Sequence, residues 1–120
     1  MTHFAFEDLG VWKKSVEFAN LVIDATESLD SNRKHFRIVE QLEAAVTSIS
    51  MNIAEGKGRF SKKEFIQFLY IARGSLFETI TLIEIFKERR WITDNQYGCL
   101  KDRGDEIGKM VSGLINSIKK

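Results

Sequence analysis

The sequence predicts an all-α protein, an antiparallel up-and-down bundle of four helices. Apolar residues recur at steps of three and four along four separate stretches, which is the spacing of one face of a helix. The 120 residues include no proline, a residue that punctuates loops and turns, and no stretch has the pattern of a β-hairpin. Hydrophobic residues make up 43% of the chain and charged residues 29%, a balance typical of folded proteins. We therefore expect one globular domain over residues 1–120.

The first two helices are each marked by one apolar stripe. The stripe residues are Leu9, Trp12, Val16, Ala19 and Ile23 in the first helix, and Val39, Leu42, Val46, Ile49 and Ile53 in the second. This periodicity predicts helices over about 7–29 and 36–55, joined by a loop over 30–35. Gly56 and Gly58 are expected to close the second helix, because glycine accepts the left-handed conformation of a C-terminal cap.

The third and fourth helices each begin at a capping-box sequence. Ser61 is followed three residues later by Glu64, and Thr93 by Gln96, so each pair can satisfy free amides at a helix start. The third helix should end near Arg90. The stripe residues are Phe65, Leu69, Ala72, Leu76, Ile83 and Phe86 in the third helix, and Tyr97, Leu100, Ile107, Val111, Leu114 and Ile118 in the fourth.

Glycines interrupt the later part of the fourth helix. Gly104, Gly108 and Gly113 each cost about 1 kcal/mol of helix propensity relative to alanine. They indicate either a weak, frayed helix or a neighbouring helix that approaches closely over the missing side chains. The sequence leaves both interpretations open.

The third helix has more apolar surface than one core stripe needs. Fourteen of the 22 residues over 65–86 are apolar. Outside the core-facing arc they form two flanks, Ile66, Tyr70 and Phe77 on one side and Ile71, Leu82 and Ile85 on the other. No helix of a small four-helix bundle is fully enclosed, so these flanks predict an interface in a homo-oligomer. A wide core arc within one chain is the alternative.

No catalytic or metal-binding constellation stands out. The two histidines, His3 and His35, lie far apart and lack the Glu-x-x-His spacing of di-iron bundles, and one cysteine cannot complete a zinc site. We therefore expect no enzyme activity, no metal and no cofactor. The single Cys99 excludes an internal disulfide, fits a cytoplasmic location and is expected to be half-buried. No apolar run is long enough to span a membrane.

A short basic segment is the candidate binding site. Lys57, Arg59, Lys62 and Lys63 place four positive charges within seven residues that contain no acid. Such a loop, next to a helix N-terminus, predicts contact with the phosphates of RNA or DNA. The same residues also fit a solvated loop in which Arg59 pairs with Glu55.

A polar group precedes this segment. Ser48, Asn52 and Glu55 share one helical face. We expect Asn52 and Glu55 to be partly buried and hydrogen-bonded, with Arg59 or Arg73 as the partner of Glu55, because a buried carboxylate needs one. This cluster would have a structural role.

Several strings resemble one known family. They are SISMNIAEGKGR at 48–59, followed by Ser61 and Glu64-Phe65, together with Phe6-Glu7-Asp8-Leu9, Val11-Trp12-Lys13, Gln41-Leu42 and Ala72-Arg73-Gly74-Ser75-Leu76. Over about 6–91 the chain resembles the four-helix-bundle proteins first noted as open reading frames within intervening sequences of bacterial 23S ribosomal RNA genes. The family's first loop often carries proline, whereas the loop here has none.

The resemblance implies an assembly as well as a fold. It implies a ring-shaped homopentamer related to the accessory proteins of diversity-generating retroelements, which are basic pentamers that bind nucleic acid and a reverse transcriptase. No catalytic activity is attached to the family. The sequence thus favours a non-enzymatic, oligomeric protein that binds RNA or DNA through its basic loop. The alternative is a protein-binding adaptor or structural scaffold without nucleic-acid affinity.

Overall fold

The computed structural model describes residues 1–27, 29 and 35–120 of the chain. Within them a short 3-10 helix, Ala5–Asp8, precedes four α-helices and there is no strand. The helices are α1 (Gly10–Thr26), α2 (Phe36–Lys57), α3 (Lys62–Glu88) and α4 (Asp94–Lys119). The predicted all-α fold with four helices is confirmed. The predicted loop over 30–35, apart from His35, lies outside the described residues.

The first predicted helix is interrupted near its start. Leu9 is extended, with φ −78° and ψ 120°, and it separates the 3-10 helix from α1. The carboxylate of Glu7 accepts a hydrogen bond from the Phe4 backbone N–H at 2.6 Å, which holds the 3-10 turn in place. The apolar stripe begins at Leu9, so its periodicity carried no information on the residues before the break.

Both predicted glycine caps of α2 differ from expectation. Among the described residues no glycine has a positive φ, and Gly58 is right-handed at φ −80°. Gly56 lies inside α2 and is buried. A Cβ placed there would stand 2.6 Å from the Cβ of Phe68 and 3.0 Å from Cδ1 of Phe65. Gly56 therefore serves the close approach of α2 to α3 and does not serve as a left-handed cap.

Contacts between neighbouring helices run in opposite directions along the two partners, as antiparallel packing requires. The side-chain pairs are Gln41–Glu78 and Ser48–Ser75 between α2 and α3, Glu84–Tyr97 and Arg73–Ser112 between α3 and α4, and Lys14–Glu106 and Glu17–Arg103 between α1 and α4. In each pair of helices, later residues of one contact earlier residues of the other. The start of α3 consequently lies beside the end of α4.

All four helices contribute to a shared apolar core. Its most buried large side chains are Phe18, Val22, Leu42, Val46, Ile49, Ile53, Leu69, Ile83, Phe86, Ile107 and Val111. Each such side chain contributes roughly 1.5–3 kcal/mol through burial. The polar groups inside the core are satisfied locally, because the hydroxyls of Ser15 and Thr79 each donate at 2.7 Å to the carbonyl four residues earlier. The predicted stripes of α2, α3 and most of α4 supply this core. In α1 the predicted stripe is wrong by one position: only Ala19 of its residues is buried, and the core side is formed by Val11, Ser15, Phe18 and Val22. The polar Ser15 on that side hid this face in the sequence pattern.

Gly104 and Gly108 of α4 allow close packing. A Cβ on Gly104 would stand 2.6 Å from Cδ1 of Ile80, and one on Gly108 would stand 3.3 Å from Cδ2 of Leu76. The close-approach interpretation is correct at these two positions, and α3 packs over the missing side chains. No atom lies within 4 Å of a Cβ placed on Gly113, and nothing in the structure explains why glycine occupies this position.

The end of α3 is closed by an arginine in the left-handed conformation. α3 ends at Glu88, close to the predicted Arg90, and Arg90 has φ 62°. The backbone N–H groups of Arg90 and Trp91 donate, both at 2.9 Å, to the carbonyls of Lys87 and Phe86, respectively. These two hydrogen bonds together form the Schellman motif, in which glycine normally occupies the left-handed position.

Replacing Arg90 with glycine should therefore stabilise the protein. A side chain in the left-handed region costs about 1–2 kcal/mol, and glycine avoids that cost while losing about 0.5–1 kcal/mol of unfolded-state entropy. We expect Arg90→Gly to raise the free energy of unfolding by about 0.5–1 kcal/mol in denaturant titrations. Arg90→Ala removes the same charge but keeps a Cβ, so it should not stabilise. Equal stabilities of the two variants would contradict the prediction.

Candidate nucleic-acid interface

The predicted basic residues lie around the short connection between α2 and α3. Lys57 is the last residue of α2, Arg59 lies in the connection, and Lys62 and Lys63 begin α3; all four are exposed. The connection is fixed at its α3 end by Ser61, whose side chain accepts a hydrogen bond from the Glu64 N–H at 3.1 Å. The predicted N-cap is thus confirmed, and it sets the direction in which α3 leaves the loop.

Arg59 is held by two neighbours. Its Nη2 donates to Oε1 of Glu55 at 2.9 Å, and its guanidinium carbon lies 4.7 Å from the ring centroid of Phe68. The ion pair that the solvated-loop alternative anticipates is therefore present. It leaves 41% of the arginine side chain exposed, and such a surface pair contributes at most about 1 kcal/mol. Lys57 lies more loosely, with Nζ 5.9 Å from the ring centroid of Phe65.

The end of α4 adds two lysines to this surface. A shallow pocket beside the start of α3 is lined by Lys62, Lys63, Ile66, Gln67, Tyr70, Ile118, Lys119 and Lys120, a set with four lysines and no acid. Nζ of Lys119 donates to the Tyr70 hydroxyl at 3.1 Å. This hydrogen bond and the lysine's charge lower the pKa of Tyr70 below its ordinary value. The end of α4 therefore brings a cation directly onto the surface of α3.

We call the six cations at this end of the molecule the basic end: Lys57, Arg59, Lys62, Lys63, Lys119 and Lys120. Sequence reasoning found the first four and missed Lys119 and Lys120. The topology could have predicted these two lysines, because an antiparallel fourth helix has to end beside the start of the third. Phe60 was missed as well; it lies within the loop and is fully exposed, at 107% of the reference value.

The polar cluster at the end of α2 has hydrogen-bond partners that differ from those expected. Asn52 is half-buried, and its amide donates to the backbone carbonyl and the hydroxyl of Ser48 at 2.8 and 2.9 Å. The Ser48 hydroxyl also pairs with that of Ser75 on α3 at 2.9 Å. Ser75 therefore takes the α3 position in this cluster that Arg73 was expected to have.

Glu55 and Arg73 are the two corrections to that cluster. The Glu55 side chain is 56% exposed, because the last turn of α2 points it outward to Arg59. Arg73 lies on the α4 side of α3, with its guanidinium carbon 4.8 Å from the Tyr70 ring centroid and Nη1 3.5 Å from the Ser112 hydroxyl. It makes no contact with the cluster, since α3 turns it away from α2.

The predicted apolar flanks of α3 are mostly exposed. Tyr70, Ile71, Phe77 and Ile85 are 39–59% exposed, and Ile66 is half-buried against the core. Leu82 is only 6% exposed and belongs to the core of its own chain. The structure thus removes Leu82 from the predicted interface, because the core arc of α3 is wider than the stripe indicated.

The described residues hold no cluster of metal ligands, and their cysteine is exposed. Among them no three His, Cys, Asp or Glu side chains come together as a possible metal site. Cys99 is exposed, which corrects the expectation of a half-buried thiol. Within the described ranges, no helix combines the length and apolarity that a membrane span requires.

Fold and surface together define a class of small four-helix proteins with a basic end made from the α2–α3 connection and the end of α4. The sequence places the chain within a known family. It matches the 23S rRNA-intervening sequence proteins over residues 7–113, and it belongs to that family. The match extends beyond the 6–91 span noted from the motifs, into most of α4.

A solved structure and the curated proteins give two further comparisons. The chain is similar to a crystal structure of a protein of unknown function from the S23 ribosomal protein family of Bacteroides thetaiotaomicron. The two share 31% identity with a TM-score of 0.83, and the alignment covers 88% of this chain and 95% of the other. No curated protein matches the sequence.

Proposed function

We propose that this protein is a non-enzymatic, RNA-associated protein that contacts phosphates through its basic end. The observation that carries the proposal is the convergence of cations from two distant parts of the chain. Lys62 and Lys63 line one pocket together with Lys119 and Lys120, and no acidic side chain lines it. The net charge of the whole chain is only +1, so positive charge is concentrated at this end and depleted elsewhere. Such a concentration favours contact with a polyanion.

The family description favours RNA as that polyanion. The family is named for intervening sequences of 23S rRNA, which supports an association with RNA over other anions. The residues that the structure brings together offer positive charge and hydrogen-bond donors. Positive charge and donors of this kind fit the binding of phosphates.

We further propose that the protein works as a homo-oligomer, with the ring-shaped pentamer of the resembling proteins as the specific expectation. A ring would repeat the basic end around one axis and sum its positive potential. The exposed apolar side chains of α3 supply a surface for self-association. A cytoplasmic location agrees with a role on RNA.

Reversing two lysines of the basic end tests the proposal. We expect Lys62→Glu/Lys63→Glu to weaken binding to structured RNA at least about tenfold at about 50 mM salt, because two phosphate contacts become repulsive. The slope of log affinity against log salt should fall by about one for each lost contact. Fluorescence anisotropy between about 50 and 200 mM salt measures both quantities.

A matched control changes the same charge at the opposite end of the molecule. Arg37 and Arg90 are both exposed and lie at the start of α2 and just after the end of α3. Arg37→Glu/Arg90→Glu should retain affinity and salt slope. Equal losses in the two double variants would show that net charge, and not the basic end, controls binding. Wild-type affinity in the lysine variant would reject the site.

A second candidate function rests on the exposed face of α3. Ile71 and Phe77 are 52% and 59% exposed, which is unusual for such large apolar side chains at the middle of a helix. This surface favours a protein-binding adaptor or scaffold. A stable oligomer with no salt-sensitive binding to RNA or DNA would support this second candidate over the first.

A further inference from the structure

Phe60 lies in the α2–α3 connection, between four cations of the basic end along the chain, and contacts little of its own chain. It is fully exposed, at 107% of the reference value, in the connection between α2 and α3. One exposed apolar residue is ordinary on a protein surface and carries no argument by itself. Here its surroundings carry the argument: Lys57 and Arg59 precede it, and Lys62 and Lys63 follow it.

The backbone on both sides of Phe60 is fixed. On the α2 side, the Arg59 N–H donates to the Gly56 carbonyl at 3.1 Å, and the Arg59 side chain is held by Glu55. On the α3 side, Ser61 caps the helix, and its carbonyl accepts the Phe65 N–H at 3.1 Å. The ring is therefore presented outward from a short, braced turn. An aromatic side chain held in this way loses less backbone entropy on binding than one on a free tail.

An exposed ring among cations is suited to unpaired nucleotides. Single-stranded nucleic acid is bound by combining positive charge that follows the backbone with aromatic rings on which bases stack. Bases inside a duplex are already stacked on each other and present no free face to such a ring. We propose that the basic end binds single-stranded RNA segments, with one base stacked on Phe60 and the flanking phosphates contacted by Lys57, Arg59 and Lys62. This inference rests on the proposed function and assigns its substrate class.

An anionic membrane surface is the other partner to which an aromatic and lysines are suited. Interfacial binding relies on a broad apolar face that enters the acyl region. The connection offers Phe60 alone, because its neighbours from 57 to 63 are charged, glycine or serine. The surroundings of Phe60 therefore favour a nucleotide base over lipid.

The test compares the wild type, Phe60→Ala and Phe60→Tyr for binding to three probes at about 50 mM salt. The probes are a short oligouridine, an abasic phosphodiester strand of the same length, and a duplex RNA. Phe60→Ala should weaken binding to oligouridine by roughly five- to 150-fold, the effect of losing one base–aromatic stack. Phe60→Tyr should keep the wild-type affinity for oligouridine, because tyrosine also presents an aromatic ring. Binding to the abasic strand and the salt slope should not change, because no charge is altered.

Phe36→Ala serves as the matched control, because Phe36 is 50% exposed at the start of α2, away from the basic end. It should leave every affinity unchanged. Equal binding of oligouridine by wild type and Phe60→Ala, with the lysine reversals still effective, would overturn stacking while leaving phosphate contact in place. Absence of wild-type binding to all three probes would overturn both. Phe60-dependent binding to phosphatidylserine vesicles, without a Phe60 effect on oligouridine, would assign the ring to lipid and overturn the inference.

Discussion

Gly56→Ala should destabilise the protein by about 1–3 kcal/mol, the range for forcing an extra carbon into a packed site. Alanine normally gains about 1 kcal/mol over glycine inside a helix, so the direction of this change is diagnostic. The new Cβ would stand 2.6 Å from the Cβ of Phe68. A Cβ is fixed to the backbone and cannot rotate away. The substitution therefore has to push α2 and α3 apart.

Gly113→Ala is the matched control for that measurement. Gly113 also lies within a long helix, but nothing stands within 4 Å of an added Cβ. It should gain about 1 kcal/mol from helix propensity alone. Urea titrations followed by circular dichroism give both values. A Gly56→Ala protein as stable as the wild type would show that the α2–α3 contact yields easily, contrary to the geometry.

The Gly56 contact also positions the basic end. α2 finishes at Lys57 and α3 starts at Lys62, so the spacing of the two helices at Gly56 decides how the four intervening residues close. Phe68 takes part twice, because it packs over Gly56 and its ring lies beneath the Arg59 guanidinium. Gly56→Ala should therefore weaken RNA binding even at temperatures where it remains folded. The glycine that packs the two helices and the arginine that we propose as a phosphate contact belong to one local structure.

Local sequence signals predicted the helices well. The hydroxyls of Ser61 and Thr93 both cap helices as their spacing indicates, and both capping predictions depended on residues within one turn. The apolar stripes of α2 and α3 are largely buried, because a period of three and four residues is set by helix geometry itself. In α1 the buried face lies one residue earlier than the predicted stripe, since the polar Ser15 belongs to that face. The break at Leu9 was missed, since a 3-10 turn and an α-helix share that short-range spacing.

Features that depend on the packing of two helices were less predictable. Leu82 and Ile71 stand on the same predicted flank of α3, yet one is 6% and the other 52% exposed. Their difference depends on how the neighbouring helices cover α3, and the apolar pattern of a single helix carries no information about that. Arg73 was misplaced for the same reason. Lys119 was overlooked because its neighbour Tyr70 is 49 positions away, and only the order of the helices brings them together.

Charged substitutions on the exposed face of α3 should convert the proposed oligomer into monomers. Ile71 and Phe77 lie on the two flanks that the core leaves uncovered, and a second copy of the chain is the partner that the resemblance implies. In an interface between copies each would be buried. An unpaired carboxylate there costs several kcal/mol at every repeat of the interface. Ile71→Asp/Phe77→Asp should therefore remove the oligomer, as measured by analytical ultracentrifugation.

The monomer produced in this way should keep its fold. Both side chains are exposed within one chain, so the double variant should retain the helical circular dichroism of the wild type. Phe36→Asp/Met51→Asp is the matched control, because Phe36 and Met51 are 50% and 65% exposed on α2 and the variant introduces the same two charges away from α3. That variant should sediment as the wild type does. A monomeric wild type, or an α3 variant that remains oligomeric, would exclude this face as the contact between copies. Loss of RNA affinity in the folded monomer would then show that the basic end acts through its repetition, since each added phosphate contact multiplies the affinity.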